Sequence, residues 1–264
     1  MKGEPGDHKT GRQGNVSPSL PVITLLTDFG TADYYVGAVK GAILSVNPSA
    51  IIVDITHEIP PQDIAAGAFT LLAAYKTFPA GTIHVAVVDP GVGSTRRPII
   101  VSANEQFFVG PDNGLFTYIY DREPSHRIFH VTAERYFRRE VSTTFHGRDI
   151  FAPVAAALST GVPLEEFGVK ITDEVRLPPL ASPLRIIHID RFGNCVTNIT
   201  RDQSPSEIVV KGRTISEFRE FYGAGAGESL FAIWGSAGFL EISVNGGSAA
   251  QVLGIKRGDP VNIR

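Results

Sequence analysis

Three short stretches of the chain put chemically capable side chains at the edges of apolar runs. The first holds Asp28, in Thr27-Asp28-Phe29-Gly30, which follows the apolar residues 22–26. A carboxylate at a strand end can accept hydrogen bonds from a ribose diol, or can instead cap its own turn through backbone N–H groups. The second is Asp89-Pro90-Gly91-Val92-Gly93, with Arg96 close behind. A charge-assisted Asp89–Arg96 pair would keep the carboxylate ionised and hold the guanidinium in place, and the competing role is a structural turn with Arg96 and Arg97 solvated. The third is His146-Gly147-Arg148-Asp149, just ahead of an apolar helical run. Outward-pointing N–H groups and a positive dipole suit a histidine that orients water there, against a purely structural histidine with Asp149 as helix cap.

Other chemistries find less support. The glycine loop after Asp89 lacks the Lys and Ser/Thr of a P-loop. Ser142, Thr143 and Thr144 lie near His146, but no Gly-x-Ser-x-Gly elbow is present, which disfavours a serine hydrolase. Asp54, His57, Glu58, Asp63, His84 and His146 could be sorted into a metal site, without the His-Glu-x-x-His arrangement of a zinc protease. Cys195 sits in a strand-like run and reads as buried packing.

The elements that must position these groups read as strand 22–26, a helix over 34–46 stopped by Asn47-Pro48, strand 50–55, a helix over 63–75 and strand 82–88. That alternation implies right-handed crossovers and a parallel sheet, whose carboxyl ends should bring Asp28, the Asp54–His57 group and Asp89 to one crevice. A hairpin is expected over 98–109 around Asn104-Glu105, and a helix over 150–158. Gly37 and Gly41 share one helix face, and close packing against the sheet would offset their poor helix propensity. Beyond the Pro-rich stretch 177–183 come short alternating strands and Gly-rich turns, the texture of a small β-barrel or sandwich. The expected organisation is a disordered tail over 1–20, an α/β domain over 21–180 and a smaller barrel-like domain over 184–264.

Composition narrows the partners. The chain has 264 residues, 43% of them apolar, enough for a sizeable core. Its 24 basic and 27 acidic residues are scattered, so no cationic face is offered to nucleic acid or anionic lipid. One cysteine rules out an internal disulfide framework, the first 20 residues carry no apolar signal core, and no stretch is apolar enough for a membrane helix. A cytoplasmic protein without membrane or nucleic-acid partners is expected.

Taken in order, Leu26-Thr27-Asp28-Phe29-Gly30, Asp54-Ile55-Thr56-His57, Val88-Asp89-Pro90-Gly91-Val92-Gly93 with Arg96-Arg97, Val109-Gly110-Pro111-Asp112-Asn113-Gly114 and Thr144-Phe145-His146-Gly147-Arg148-Asp149-Ile150-Phe151 resemble the S-adenosylmethionine hydroxide adenosyltransferases, relatives of fluorinase and chlorinase. Asp190-Arg191-Phe192-Gly193-Asn194 and the run from Gly235 to Ala250 resemble that family's nucleoside-binding barrel. The resemblance implies metal-free, cofactor-free hydrolysis of S-adenosylmethionine to adenosine and methionine. It also implies a homotrimer with active sites between subunits. It places Asp28 on the ribose hydroxyls and makes Asp89, Arg96 and His146 the group that activates water. It puts Asp190 and Asn194 on the methionine end, Phe192 and Tyr222 about adenine, and Ser236 and Asn245 at the adenine edge. Two departures from the halogenases, Asp89 where they carry tyrosine and Gly147 where they carry a halide-pocket serine, favour water over halide. A metal-dependent hydrolase on Asp54, His57, Asp89 and His146 and a nucleoside sensor without turnover are the competing readings.

Overall fold

A computed structural model describes residues 20–224 and 229–264, so the tail expected over 1–20 lies, Leu20 aside, outside the described residues. The chain opens β1 (Val22–Thr27), α1 (Tyr35–Val46), β2 (Ile51–Thr56), α2 (Ile64–Ala74) and β3 (Ile83–Val87), within a residue or two of the sequence reading. β1 pairs in parallel with both β2 and β3. β1 and β3 are almost wholly buried, as uninterrupted apolar strands covered on both faces must be. Asp63 caps α2 by accepting the Ala66 N–H at 3.0 Å.

β4 (Pro98–Ala103) and β5 (Gln106–Pro111) form the expected hairpin. Asn104 and Glu105 both take positive φ, 50° and 58°, as a two-residue turn matched to strand twist requires. The hairpin inserts β5 beside β3 in parallel, and the sheet continues antiparallel through β4. α3 (Thr117–Arg122), β6 (Arg127–Val131), α4 (Ala152–Ser159) and β7 (Gly168–Ile171) complete this half. The seven-stranded order is β2-β1-β3-β5-β4-β6-β7. Val39 and Ile43 of α1 and Val154 and Ala155 of α4 pack on one face, with Ile23, Leu25, Val85 and Val87. α2 and α3 pack on the other, with Leu26, Ala86 and Val88. The fold class is the expected α/β layer, but the sheet, expected to be parallel, is parallel only through β2, β1, β3 and β5 and turns antiparallel through β4, β6 and β7.

The glycine expectation fails. Gly37 and Gly41 are exposed, and a Cβ on either would meet nothing within 4 Å. The helix glycine that permits close packing is Gly67 of α2, where a Cβ would lie 2.9 Å from Leu115 Cδ1.

The remaining residues form β8 (Ile186–Ile189), β9 (Cys195–Thr200), β10 (Ile208–Val210), β11 (Arg213–Ile215), β12 (Phe218–Arg219), β13 (Leu230–Trp234), β14 (Phe239–Val244), α5 (Ala249–Leu253) and β15 (Asn262–Ile263). A five-stranded sheet, β12-β13-β14-β9-β8, and a three-stranded one, β11-β10-β15, share a core of Cys195, Ile199, Ile208, Leu240 and Ile242. Burial pushes the Cys195 thiol up to about 12, in keeping with a packing role. Phe69 of α2 joins the two halves: its ring centroid lies 5.1 Å from that of His188 and 5.9 Å from that of Phe239. Arg257 pairs with Asp63 across the same seam.

Phe69→Ala is expected to remove about 3–5 kcal/mol of stability, because the seam cannot close over the lost ring. Chemical denaturation checks this, together with faster proteolysis in the 177–185 connection as the halves separate.

Candidate active site

The carboxyl ends of β1 and β3 open into a cavity of about 450 Å³ lined by Asp28, Phe29, Tyr34, Tyr35, Gln62, Asp89, His146 and Arg148, among others. Asp28 and Asp89 therefore converge as strand-end geometry requires. Asp54 and His57 do not line this cavity, which corrects the expectation of a shared crevice.

Arg96 folds back from the glycine loop onto Asp89. Its Nε donates to Oδ1 at 2.9 Å and to Oδ2 at 3.0 Å, and Nη2 donates to Oδ2. Both side chains are nearly enclosed, 9% and 5% exposed, so the pair is held in place rather than solvated. Nη2 also lies 2.7 Å from His146 Nδ1. A guanidinium only donates, so Nδ1 is the acceptor and the proton of the neutral imidazole sits on Nε2. The Arg96 guanidinium lies 5.1 Å over the Phe151 ring, and its Nη1 is buried without an acceptor among the described residues. Burial, and then the Arg96 charge, hold His146 below the ordinary imidazole value, against the opposing pull of Asp89 and Asp149.

The local sequence explains how His146 is presented. Gly147–Phe151 is a π-helical turn leading into α4, with Ala152 N–H bonded to Gly147 C=O. Pro153 has no N–H to offer the Asp149 carbonyl, which accepts the Arg138 N–H at 2.9 Å instead. Asp149 is wholly buried, with Oδ1 2.7 Å from Arg148 Nε and Oδ2 accepting the Ser142 N–H at 2.9 Å. It is thus a clamp on the 138–148 segment and not the helix cap considered above. Gly93, at φ 78°, lets the Asp89 loop touch that segment, since a Cβ there would lie 2.2 Å from Thr143 O.

Asp190, Phe192, Asn194, Tyr222 and Asn245 line a different cavity, of about 620 Å³, and share no lining residue with the first. The Asp190 carboxylate accepts the Phe192 and Asn194 N–H groups at 2.9 Å each and Asn194 Nδ2 at 2.8 Å. It thereby shapes a turn that projects Phe192, 76% exposed. Gly193 allows the Ser248 cap of α5 to nest against that turn, because a Cβ would overlap Ser248 Oγ at 2.0 Å. Tyr222 donates its hydroxyl to Glu241 at 2.9 Å, and burial pushes the phenol up to about 12. Ser236 does not join this group; it lies on the exposed turn between β13 and β14.

The four-residue metal reading finds no ligand set. His57 Nδ1 is bonded to Thr27, Asp54 to Lys40, Asp89 to Arg96 and His146 Nδ1 to Arg96. His84 is buried between Thr24 and Gln106, with its pKa pushed down to about 4 by desolvation. Among the described residues, no group of three or more His, Cys, Asp and Glu side chains is placed to hold a metal ion.

This arrangement sits within two matched domain families: residues 23–168 match the SAM hydroxide adenosyltransferase N-terminal domain and residues 184–262 its C-terminal domain. The chain belongs to the SAM hydroxide adenosyltransferase family. A Thermus thermophilus protein named (R)-S-adenosyl-L-methionine hydrolase is 38% identical over 91% of this chain and 98% of its own length. A fluorinase from Actinopolyspora mzabensis is a more distant relative, 25% identical over 94% of this chain and 98% of its own. The crystal structure of an uncharacterized conserved protein from Thermotoga maritima superposes with a TM-score of 0.86 at 36% identity, over 92% of this chain and all of that one. No helix among the described residues is long and apolar enough to cross a membrane.

Sequence reasoning passed over Tyr34, Tyr35, Gln62 and Glu241. Gln62 lines the first cavity and donates its backbone N–H to Asp28 Oδ2 at 2.7 Å, from a left-handed φ of 65° that a side chain rarely adopts. Glu241 carried a signal, a carboxylate inside the apolar strand Phe239–Val244.

In this family member, the His146 ring should titrate with a midpoint below its ordinary 6.5. The neutral ring is then the form present at neutral pH, and it is lost only on acidification. Removing the cation with Arg96→Gln should move the midpoint upward, read from the imidazole resonances by NMR titration.

Proposed function

We propose that this chain hydrolyses S-adenosyl-L-methionine to adenosine and L-methionine, by attack of water or hydroxide at the ribose C5' carbon, without a metal or other cofactor. The observation that carries the reading is the Asp89–Arg96–His146 constellation at the cavity of a SAM hydroxide adenosyltransferase. The curated relatives' names specify the (R) sulfonium, and we take that epimer as the substrate.

The bond formed is O–C5' and the bond broken is C5'–S. The electron pair goes to sulfur, and the leaving group is a neutral thioether that needs no acid. The difficulty lies in the nucleophile, since bulk water ionises near a pKa of about 15.7. Asp89 keeps lone pairs that Arg96 does not use, and it takes the proton that water loses. His146, with Nδ1 committed to Arg96, donates from Nε2 and orients the oxygen. The Arg96 charge, held beside both Asp89 and His146, favours negative charge as it develops on the oxygen. Asp28 receives the ribose hydroxyls. A carboxylate at position 89 repels a halide, and a side chain at position 147 would crowd the Phe29 ring, 3.3 Å from a Cβ there. Both features favour water.

The second cavity supplies the rest of the site from a neighbouring subunit of a homotrimer. Asp190 and Asn194 hold the methionine end, Phe192 and Tyr222 flank adenine, and Asn245 reads its edge. Tyr34 beside the first cavity and Phe192 and Tyr222 beside the second are large, exposed aromatics that a facing subunit would cover. The partners of this reading are the small-molecule substrate and product in the cytoplasm, with no nucleic acid and no membrane.

Incubation with the substrate in chelator and ¹⁸O-water should give methionine and adenosine labelled at the 5' oxygen. Asp89→Asn, which keeps the shape of the Arg96 contact, should slow this by about 10²–10⁴-fold. Intact substrate with adenosine bound tightly would instead favour the sensor, and loss of turnover in chelator the metal hydrolase. Co-expressing Asp89→Asn with a separately inactive Phe192→Ala chain should restore part of the activity, and the particle should have three times the 28.4 kDa chain mass. Absence of any complementation would place the whole site in one chain.

A further inference from the structure

Asp28 stands in a loop that is held almost entirely by one other segment. The Gly30 N–H donates to His57 C=O at 2.8 Å, the Ile59 N–H to Thr27 C=O at 3.4 Å, and the Gln62 N–H to the Asp28 carboxylate at 2.7 Å. Below the loop, Thr27 Oγ1 accepts the Phe29 N–H at 3.3 Å and lies 2.8 Å from His57 Nδ1. Thr27 Oγ1 already accepts the Phe29 N–H, so its hydroxyl proton goes to Nδ1 and the imidazole proton sits on Nε2 beside the Asp54 carboxylate. Nε2 lies 3.1 Å from Asp54 Oδ1, within ion-pairing range though off-line for a well-aligned hydrogen bond. Asp54 Oδ2 in turn takes Lys40 Nζ at 2.7 Å.

Hydroxyl, imidazole and carboxylate in this order resemble a nucleophilic triad. Thr27 is only 1% exposed, however, and its hydroxyl is spent on the Phe29 amide and on His57, so no substrate carbon can reach it. His57 is 4% exposed and does not line the cavity. A buried Thr27–His57 pair that reaches neither solvent nor ligand, yet ends on the backbone beside the ligand-facing carboxylate, fixes where that carboxylate points.

We propose that His57 is a positioning residue for Asp28, acting through Thr27 and the Phe29 amide; this rests on reading Asp28 as the acceptor of the ribose hydroxyls. Contacts to the ribose diol are remote from the reacting bond and equal in ground and transition states, so loosening them raises KM and leaves kcat nearly unchanged.

The test is a series of full-length variants, with adenosine affinity by calorimetry and steady-state turnover of S-adenosylmethionine. His57→Gln, which reaches toward Asp54 but not Thr27, should raise KM and the adenosine Kd together by about tenfold, the size of one lost positioning hydrogen bond, with kcat within about threefold. His57→Asn, whose carbonyl oxygen replaces Nδ1, should restore both. Thr27→Val, which removes the hydroxyl at constant shape, should reproduce the His57→Gln effect and serves if that variant does not fold. In an Asp28→Asn background, His57→Gln should add nothing. A rise in Kd of the same size in that background, or kcat falling in step with thermal stability, would overturn the positioning role. Asp28→Asn with unchanged adenosine affinity would overturn the ribose reading itself, whereas a weakened Asp28→Asn beside a silent His57→Gln and Thr27→Val overturns the positioning alone.

Discussion

The cavity at the sheet is organised around one buried cation. Arg96 is withdrawn from water with three of its donors facing a carboxylate or an imidazole and its face lying on Phe151. A guanidinium so placed is tolerated only if its partners are fixed, because removal of Asp89 leaves an uncompensated charge, and removal of His146 an unpaired donor, in a poorly solvated place. That requirement reaches outward. It demands a glycine loop after β3 tight enough to return Arg96 to Asp89, with Gly93 able to press on Thr143. It also demands a π-helical turn that sets His146 against the guanidinium, held by the buried Asp149. π turns of this kind widen a helix locally and recur at functional sites.

The second cavity obeys a different constraint, the geometry of turns. Asp190 spends its carboxylate on two backbone amides and a side-chain amide, so the Phe192 loop is rigid although Phe192 itself is bare. The Ser248 cap and Gly193 lock this loop to the next one. An exposed aromatic on a rigid loop loses little entropy when it is covered, which suits the nucleoside pocket proposed between subunits.

How much was legible in the sequence follows from how local each cause is. Strands β1, β2 and β3, helices α1 and α2, and the Asn104-Glu105 hairpin were readable because apolar period, helix stops and turn chemistry act over a few neighbours. Asp28 and Asp89 were readable as strand-end carboxylates. β6, β7, α3 and α5 were not, being short elements whose pairing is decided by distant partners. Gly37 and Gly41 were misjudged, since spacing gives a shared helix face without saying whether sheet or solvent lies against it. Gln62 was illegible for the same reason: its backbone N–H serves Asp28 from a left-handed conformation that side-chain identity does not announce. Ser236 belonged to a recognisable motif, yet in a single chain it lies on an exposed turn outside the cavity of its expected companions.

The division of polar groups fits the proposed reaction for a reason that precedes any one residue. A sulfonium leaves as a neutral thioether, so a strong acid beside it would gain nothing, while a weak nucleophile needs every donor and acceptor that can be aimed at it. The cavity at the sheet has that bias: its histidine is held below its ordinary pKa by burial and by Arg96, neutral and without a proton to give up as a strong acid. Its carboxylate is held by a cation on one side and free to accept on the other. A site built to expel a poor leaving group would reverse this and raise the pKa of a carboxylic acid by burial, as Glu241 is raised by burial and by Asp190 in the barrel-like half. That raised carboxyl is bonded to Tyr222, so it anchors a ring and lies away from the strand ends where the nucleophile must be held.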